Sequence, residues 1–396
     1  MTITPFSSGQ GWNFPPGREQ KREALLRAVD SVRDVLIAES AGSEANGTLT
    51  AASVDALYDS GLLALKLPEV LGGAEADPIT QMEVIEAIAL FDSSAWLLFV
   101  GATNIGAPGA YLPDQGIEQM FPDGYVPKGA GVGAPMGVAT RIPGGFNVTG
   151  RWPFGSGIRH SEWVSGGIRV DSTSGGPPEI RRASMRTENV TVHDNWQVAG
   201  LRGTGSCDFS VNGTFVPEYM TYVVGDPAHR GGDLYRLSRL GFVINEHMAF
   251  AIGLGRRALN AIMSLAEVKS RGRNSPSLIA EQPTFQRMVG ECDVRLKAAR
   301  ALCFEVYEDA WKAAQEGRPG SDLQDANLRA CAVLATDVAI DVASSAFRAG
   351  GGSALYDSSD LQRCLRDIHA AAQHFVVSDA AYEALGKIRM GSIDPL

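Results

Sequence analysis

Trp196-Gln197-Val198-Ala199-Gly200-Leu201-Arg202-Gly203-Thr204-Gly205-Ser206 is the run on which the reading of the fold turns. Glycines at 203 and 205 bracket hydroxyls at 204 and 206. Successive backbone N–H groups in such a turn form a concavity that suits an anion, and the Trp196 indole offers a face for stacking on a flat ring. The same letters also spell a strand–turn–strand corner with a tryptophan in its core. The neighbouring stretches decide between them.

Upstream, Gly150-Arg151-Trp152-Pro153-Phe154-Gly155-Ser156-Gly157-Ile158-Arg159-His160-Ser161-Glu162-Trp163 brings a strand into a Gly-Ser-Gly turn. Glycines let backbone approach a flat ligand closely, and the Ser156 hydroxyl suits a ring nitrogen. A tight turn with a solvated serine reads the same way. Downstream, Gly350-Gly351-Gly352-Ser353 precedes the segment Leu361 to His374. His369 and His374 are five apart, about 140° around a helix. That spacing argues against a two-histidine metal site, and no metal is expected. The glycine run also reads as a helix cap.

Further out, the texture sorts the chain. Residues 125–235 are rich in Gly, Thr, Val and Ser, with short alternating runs and turn pairs at Gly144-Gly145, Gly175-Gly176 and Asn212-Gly213. This predicts an antiparallel β domain, a barrel or sandwich. Before it, Leu25, Val29, Val32 and Leu36 recur at helical spacing, followed by helical stretches over 50–65, broken at Gly61, and 79–105. After Leu240, four segments (241–271, 282–316, 324–349 and 359–390) predict a four-helix bundle. The expected chain is mainly α with a central β domain: a flexible tail over 1–17, an N-terminal helical domain over 18–124, the β domain over 125–238 and the bundle over 239–396.

Composition narrows the function. The net charge of −10, from 35 basic and 45 acidic residues, argues against a general nucleic-acid partner. Five cysteines without a CxxC pair argue against a disulfide framework or zinc ribbon and point to a reducing cytoplasm. The N-terminus has no basic start followed by an apolar run, so no secretory signal is expected. The uncharged stretch from Ser93 to Pro113 is interrupted by Gly, Asn and Pro, which disfavours a membrane span. There is no GxGxxG opening a βαβ unit, no Walker A loop and no HExxH, so a nicotinamide bound in the usual fold is disfavoured.

The three runs, in this order on an α–β–α layout, resemble the acyl-CoA dehydrogenase superfamily over roughly residues 20–390. Within it they resemble the oxygenases of two-component flavin-dependent monooxygenases. The strings Ala134-Pro135-Met136-Gly137 and Gly145 to Trp152 are similar to flavin-side strands of the phenol hydroxylase branch of steroid degradation. The branch rests on a substitution. Typical dehydrogenases carry a catalytic Glu after the Arg-Asp helix, where this chain reads Ala372-Gln373-His374-Phe375-Val376-Val377.

The resemblance implies an acyl-CoA dehydrogenase-like fold. It implies reduced flavin (FADH2 or FMNH2) from a separate NAD(P)H:flavin reductase, held between the β domain and the bundle. With O2 this would form a C4a-hydroperoxyflavin that hydroxylates an aromatic or polycyclic, phenol- or indole-like small molecule. Ser156 would meet flavin N5 and His374 would stand near C4a, both as catalytic residues. Trp152, Trp196, Thr204, Ser206, Arg271, Phe285, Gly352 and Ser353 would contact the cofactor, with Arg273 an alternative to Arg271 at the phosphate of a neighbouring subunit. Trp96, Phe99, Asn104, Phe242 and Asn245 are expected by position to line the substrate pocket. Thr103 and Asn104 stand where some relatives carry a histidine, and His160 recurs in the branch without an assigned role. A cytoplasmic homotetramer or homodimer is implied. The alternatives are a dehydrogenase with a relocated base, for which Glu246 is the candidate if it is not a surface or ion-paired residue, and an N-oxygenase of an amino sugar.

Overall fold

Thr50 accepts a hydrogen bond from the Ser53 N–H and so opens a helix, Ala51–Asp59 (α2), straight after the first one, Arg18–Asn46 (α1). Gly47 closes α1 at φ 63° and Gly61 closes α2 at φ 77°, conformations that cost glycine nothing. The computed structural model describes residues 11–171, 176–271 and 277–391, with the Phe99 side chain outside the described residues. The stretch predicted as one helix over 79–105 is two, Pro78–Ala89 (α3) and Ala95–Tyr111 (α4). Asp92 Oδ1 accepts from the Ser94 N–H in the break and starts the second helix afresh. A short helix, Asp114–Met120 (α5), follows.

Seven strands come next: Gly129–Ile142 (β1), Gly145–Gly155 (β2), Trp163–Val170 (β3), Glu179–Arg186 (β4), Thr191–Val192 (β5), Cys207–Pro217 (β6) and Thr221–Val223 (β7). They form one sheet in the order β5-β6-β2-β1-β3-β4-β7. β1 and β3 are parallel, so the sheet is mixed and not the all-antiparallel one that the turn pattern predicts. The reason is parity. β2 reverses on β1, and β3 reverses on β2 but lies on the far side of β1, which restores the direction of β1. Turn residues report reversals and not the side on which the returning strand lands. Of the predicted turn pairs, Gly175 lies outside the described residues.

The chain packs as two units. One runs up to Asp77 and takes in Trp96–Gln197 and Arg202–Tyr235. Its core is the buried face of the sheet, centred on Trp152, which is fully enclosed and stacked on Phe209 at 5.0 Å. Gly137, Gly150 and Gly166 press on that indole. A Cβ on Gly166 would meet it at 2.7 Å. Trp152 Nε1–H donates to the Gly167 carbonyl at 2.8 Å.

The other unit holds Pro78–Ala95, Val198–Leu201 and the chain from Arg236 onward. Its helices are Ile244–Val268 (α6), Pro283–Gln315 (α7), Asp322–Gly350 (α8), Asp360–Ala371 (α9) and Ala380–Arg389 (α10), together with α3. A two-residue ribbon pairs Ser270–Arg271 (β8) with Ser277–Leu278 (β9). α3 is buried over most of its surface and approaches α6 where Gly253 faces Ala89 and Glu86. Glu86 takes both oxygens to Arg300 Nε of α7, at 2.9 and 2.8 Å. Burial pushes the Glu86 carboxyl up, and Arg300 opposes it. The segment predicted as a single fourth helix is split: α9 ends at Ala371, and the stretch to Asp379 is turns. α8 with its following turn (Asp322–Leu355) is long and apolar enough to cross a membrane, but 61% of its most apolar window is buried inside the protein.

Candidate functional site

The first and second runs of the sequence meet because β2 pairs with β6, with Gly155 opposite Cys207 at one end. The Gly-Ser-Gly turn leaves β2 there, and Gly203-Thr204-Gly205-Ser206 enters β6 there. The Gly157 N–H donates to the Thr204 carbonyl at 2.9 Å and fastens the turns together. Their hydroxyls form a chain: Ser156 Oγ lies 2.7 Å from Ser206 Oγ, which lies 2.6 Å from Thr204 Oγ1. All three residues are buried. Phe154 holds φ 65° at the mouth of the turn, a conformation that non-glycine residues rarely keep without a reason. Its ring is 66% exposed and meets half-buried Trp196 edge-on, with centroids 6.3 Å apart.

A cavity that opens to solvent adjoins Ser156 within the same unit. Leu49, Val54, Leu57, Leu97 and Ile105 supply its aliphatic wall, and Lys128, Ser156, His160 and Ser161 its polar part. Burial, with the Lys128 ammonium nearby, pushes the His160 imidazole down to about 4.

The second unit carries a histidine pair. His374 does not continue α9, so the helical separation from His369 does not describe it. It sits in the turn after Ala372 and stacks on His247 of α6, with centroids 5.7 Å apart and planes 16° from parallel. His369 is exposed. Thr336 donates its hydroxyl hydrogen to the Ala332 carbonyl at 2.7 Å, so its oxygen accepts from His247 Nε2 at 3.0 Å. That places the His247 proton on Nε2. Burial holds His247 at about 3 and His374 at about 4, and both rings are neutral at pH 7. The sequence reading missed His247, whose only signal was a polar ring in an apolar helical stretch. Asp367, from the third run, accepts from the Leu201 N–H at 2.6 Å and the Ser93 hydroxyl at 2.5 Å.

The remaining expected residues fall out unevenly. Gly352 has nothing within 4 Å of where a Cβ would sit. Lys269 Nζ donates to Ser353 Oγ and the Gly350 carbonyl, both at 2.7 Å. Exposed Arg271 reaches the Ala349 carbonyl at 2.7 Å, and Phe285 is buried in the first turn of α7. Arg273 lies outside the described residues. Trp152 is a core residue with its N–H already spent, which removes it from the cofactor contacts.

The expected pocket residues divide between the two units, Trp96 and Asn104 in the first, Phe242 and Asn245 in the second. Trp96 is 6% exposed in α4, and Phe242 lies half-buried just before α6. Asn104 is committed to protein groups: Nδ2 donates to the Val100 carbonyl, and Oδ1 accepts from Ser165 and Arg182. Asn245 Nδ2 donates to Gln81 Oε1 at 2.8 Å, inside the second unit. Thr103 accepts from Lys66. The residues that do line a cavity beside Ser156 come from the preceding helices and from His160 and Lys128. Glu246 is wholly buried, which overturns the helix-surface reading of it.

For a flat heteroaromatic group such as flavin, the donors fit on chemical grounds. A buried hydroxyl chain supplies both donor and acceptor roles to ring nitrogens and carbonyls. Phe154 and Trp196 present aromatic surface beside it.

Two family models match the chain: the acyl-CoA dehydrogenase N-terminal domain over residues 19–114, and the acyl-CoA dehydrogenase C-terminal domain over residues 246–379. Among curated relatives, indole-3-acetate monooxygenase of Pseudomonas putida is 29% identical over 340 residues, 85% of this chain and 86% of that protein. The flavin-dependent monooxygenase oxygenase subunit HsaA of Mycobacterium tuberculosis is 24% identical over 94% of this chain and 97% of its own. Among solved structures, XiaF from Streptomyces sp. in complex with FADH2 and glycerol superposes with a TM-score of 0.86 at 24% identity, covering 96% of this chain and 98% of that one.

Proposed function

Since this chain belongs to the acyl-CoA dehydrogenase family, we propose that it is the oxygenase component of a two-component flavin-dependent monooxygenase that hydroxylates an aromatic small molecule. The observation that carries the reading is the buried Ser156–Ser206–Thr204 hydroxyl chain at the shared end of β2 and β6, beside a largely aliphatic cavity. Bound reduced flavin would supply the electrons that activate O2 for transfer of one oxygen atom. The protein's share is positioning and exclusion of water.

Ser156 orients the ring through its hydroxyl, and Ser206 and Thr204 fix the direction of that hydrogen bond. His374 works as a neutral imidazole. With its proton affinity pushed down to about 4, it offers a hydrogen bond at neutral pH and does not carry a spare proton. Its stacking on His247, whose own tautomer Thr336 fixes, holds the ring in one plane. The aliphatic wall of the cavity takes the organic substrate and keeps it dry.

A separate NAD(P)H:flavin reductase delivers the flavin, a reading supported by the relative HsaA being the oxygenase subunit of its monooxygenase. We place the enzyme in the cytoplasm, a reading supported by five buried free cysteines, and as a homotetramer or homodimer by analogy.

The test supplies chemically reduced FAD or FMN anaerobically, then oxygen-18 gas and an aromatic substrate such as indole-3-acetate. One labelled oxygen in the product is expected, and Ser156→Ala is expected to divert roughly tenfold more of the oxygen to H2O2. Release of all the oxygen as peroxide across a panel of aromatics, together with bleaching of oxidised flavin by an acyl-CoA, would point instead to a dehydrogenase.

A further inference from the structure

The cavity beside Ser156 has two chemically different sets of lining side chains. One is aliphatic and comes from α2, α4 and the Leu49 turn. The other is polar and includes Lys128 and His160. The Lys128 ammonium sits over the Tyr58 ring, 4.0 Å from its centroid, which anchors the cation without neutralising it. The Tyr58 hydroxyl is itself fixed on the Val126 carbonyl at 2.5 Å. Among the described residues, no carboxylate pairs with the Lys128 ammonium. Glu162, which follows the Gly-Ser-Gly turn, spends Oε1 on the Tyr125 hydroxyl and the Lys128 backbone N–H. The His160 imidazole beside the lysine is neutral and has hydrogen-bonding capacity to offer a ligand. A cation braced on an aromatic face at the rim of an apolar cavity is a recognition element for an anion.

We propose that this cavity selects planar, apolar molecules that carry one carboxylate, with the carboxylate paired to Lys128 and hydrogen-bonded by His160. Neutral aromatics of the same size fill the wall but leave the ammonium unpaired. The inference rests on the reading of this cavity as the organic-substrate end of the oxygenase and deepens it by naming the substrate class. It makes Lys128 a specificity-determining residue that takes no part in oxygen chemistry.

The test is direct binding to the full-length protein, with and without flavin, of indole-3-acetate and its neutral isostere indole-3-acetamide, by calorimetry. The acid is expected to bind about tenfold or more tighter than the amide. Lys128→Gln is expected to bring the two within about twofold, chiefly by weakening the acid, and Lys128→Arg to keep the preference. In the wild type alone, benzoate is expected to displace indole-3-acetate where benzamide does not, which covers the case of a variant that fails to fold.

Equal affinity for acid and amide, a preference that survives Lys128→Gln, or no binding of either overturns the proposal. If labelled oxygen then still enters a neutral aromatic, the oxygenase reading stands without this subsite. If the acid binds through Lys128 but no labelled oxygen enters any aromatic, the subsite stands and the oxygenase reading falls.

Discussion

His247, His374 and His160 share one electrostatic circumstance: His247 is wholly buried, the other two are half-buried, and desolvation holds each neutral, at about 3, 4 and 4. In the unfolded chain each titrates near 6.5. As pH falls below 6.5 the unfolded state takes up protons that the folded state refuses. Their contribution is therefore fully present above about pH 6.5 and is lost as pH drops toward 4. Each ring costs about 1.4 kcal/mol per pH unit across that window. For His247→Gln we expect the fall in unfolding free energy between pH 6.5 and 4.5 to be smaller than in the wild type by roughly 2–3 kcal/mol. Urea titrations at the two pH values check this, and parallel falls would show that His247 is not held neutral by the fold. At this scale the sequence was legible where a residue type has few uses in a turn. Ser156, Thr204 and Ser206 were named from glycine-bracketed hydroxyls and do form one buried chain. Trp152 is a cofactor contact by resemblance alone, and the residues around it read alike whether the indole faces a ligand or a core. Only the packing of three glycines against it tells which.

At the scale of elements, the β2–β6 pair sets the site, and the parallel β1–β3 pair sets the room behind it. Gly166 lies on β3 and presses its bare backbone on the Trp152 indole. Gly166→Ala is expected to cost about 1–3 kcal/mol, because the added methyl has no void to enter and its neighbour is a ring locked by Phe209. Thermal unfolding would show it, and an unchanged midpoint would mean the sheet yields more easily than its contacts imply. Helix existence was readable from periodicity along most of the chain, but two breaks were not. The break between α3 and α4 depends on one aspartate capping the next turn, and that between α9 and α10 on a turn with no glycine or proline to announce it. The second break mattered most, since it moved His374 off the helix on which its geometry had been reckoned. The β character of the middle of the chain was accessible from turn chemistry, whereas the side on which β3 returns was not, because local letters carry no information about the far side of β1.

Over the whole molecule, order along the chain and order in space part company. The second unit is assembled from three separate pieces, and one carboxylate fastens them: Asp367 of α9 holds Ser93 from the first piece and Leu201 from the second. Asp367→Ala strands two donors in the interior and is expected to cost roughly 2–4 kcal/mol, with Asp367→Asn milder because one acceptor remains. Denaturant unfolding of both variants checks the order, and equal losses would show that the charge, not the hydrogen bonding, is what counts. The Arg-Asp run was recognisable in the sequence only as a resemblance, since nothing local says which distant donors an aspartate will serve. The same discontinuity has a consequence on the ribosome. α3 leaves the exit tunnel about 180 residues before α6, the helix it packs on, has been made. At ordinary elongation rates that is a wait on the order of ten seconds. For that interval a helix that is mostly buried in the folded protein lacks the α6 surface it packs on. The nascent chain has to be shielded by something other than itself, and its yield in a cell depends on how fast the last third arrives.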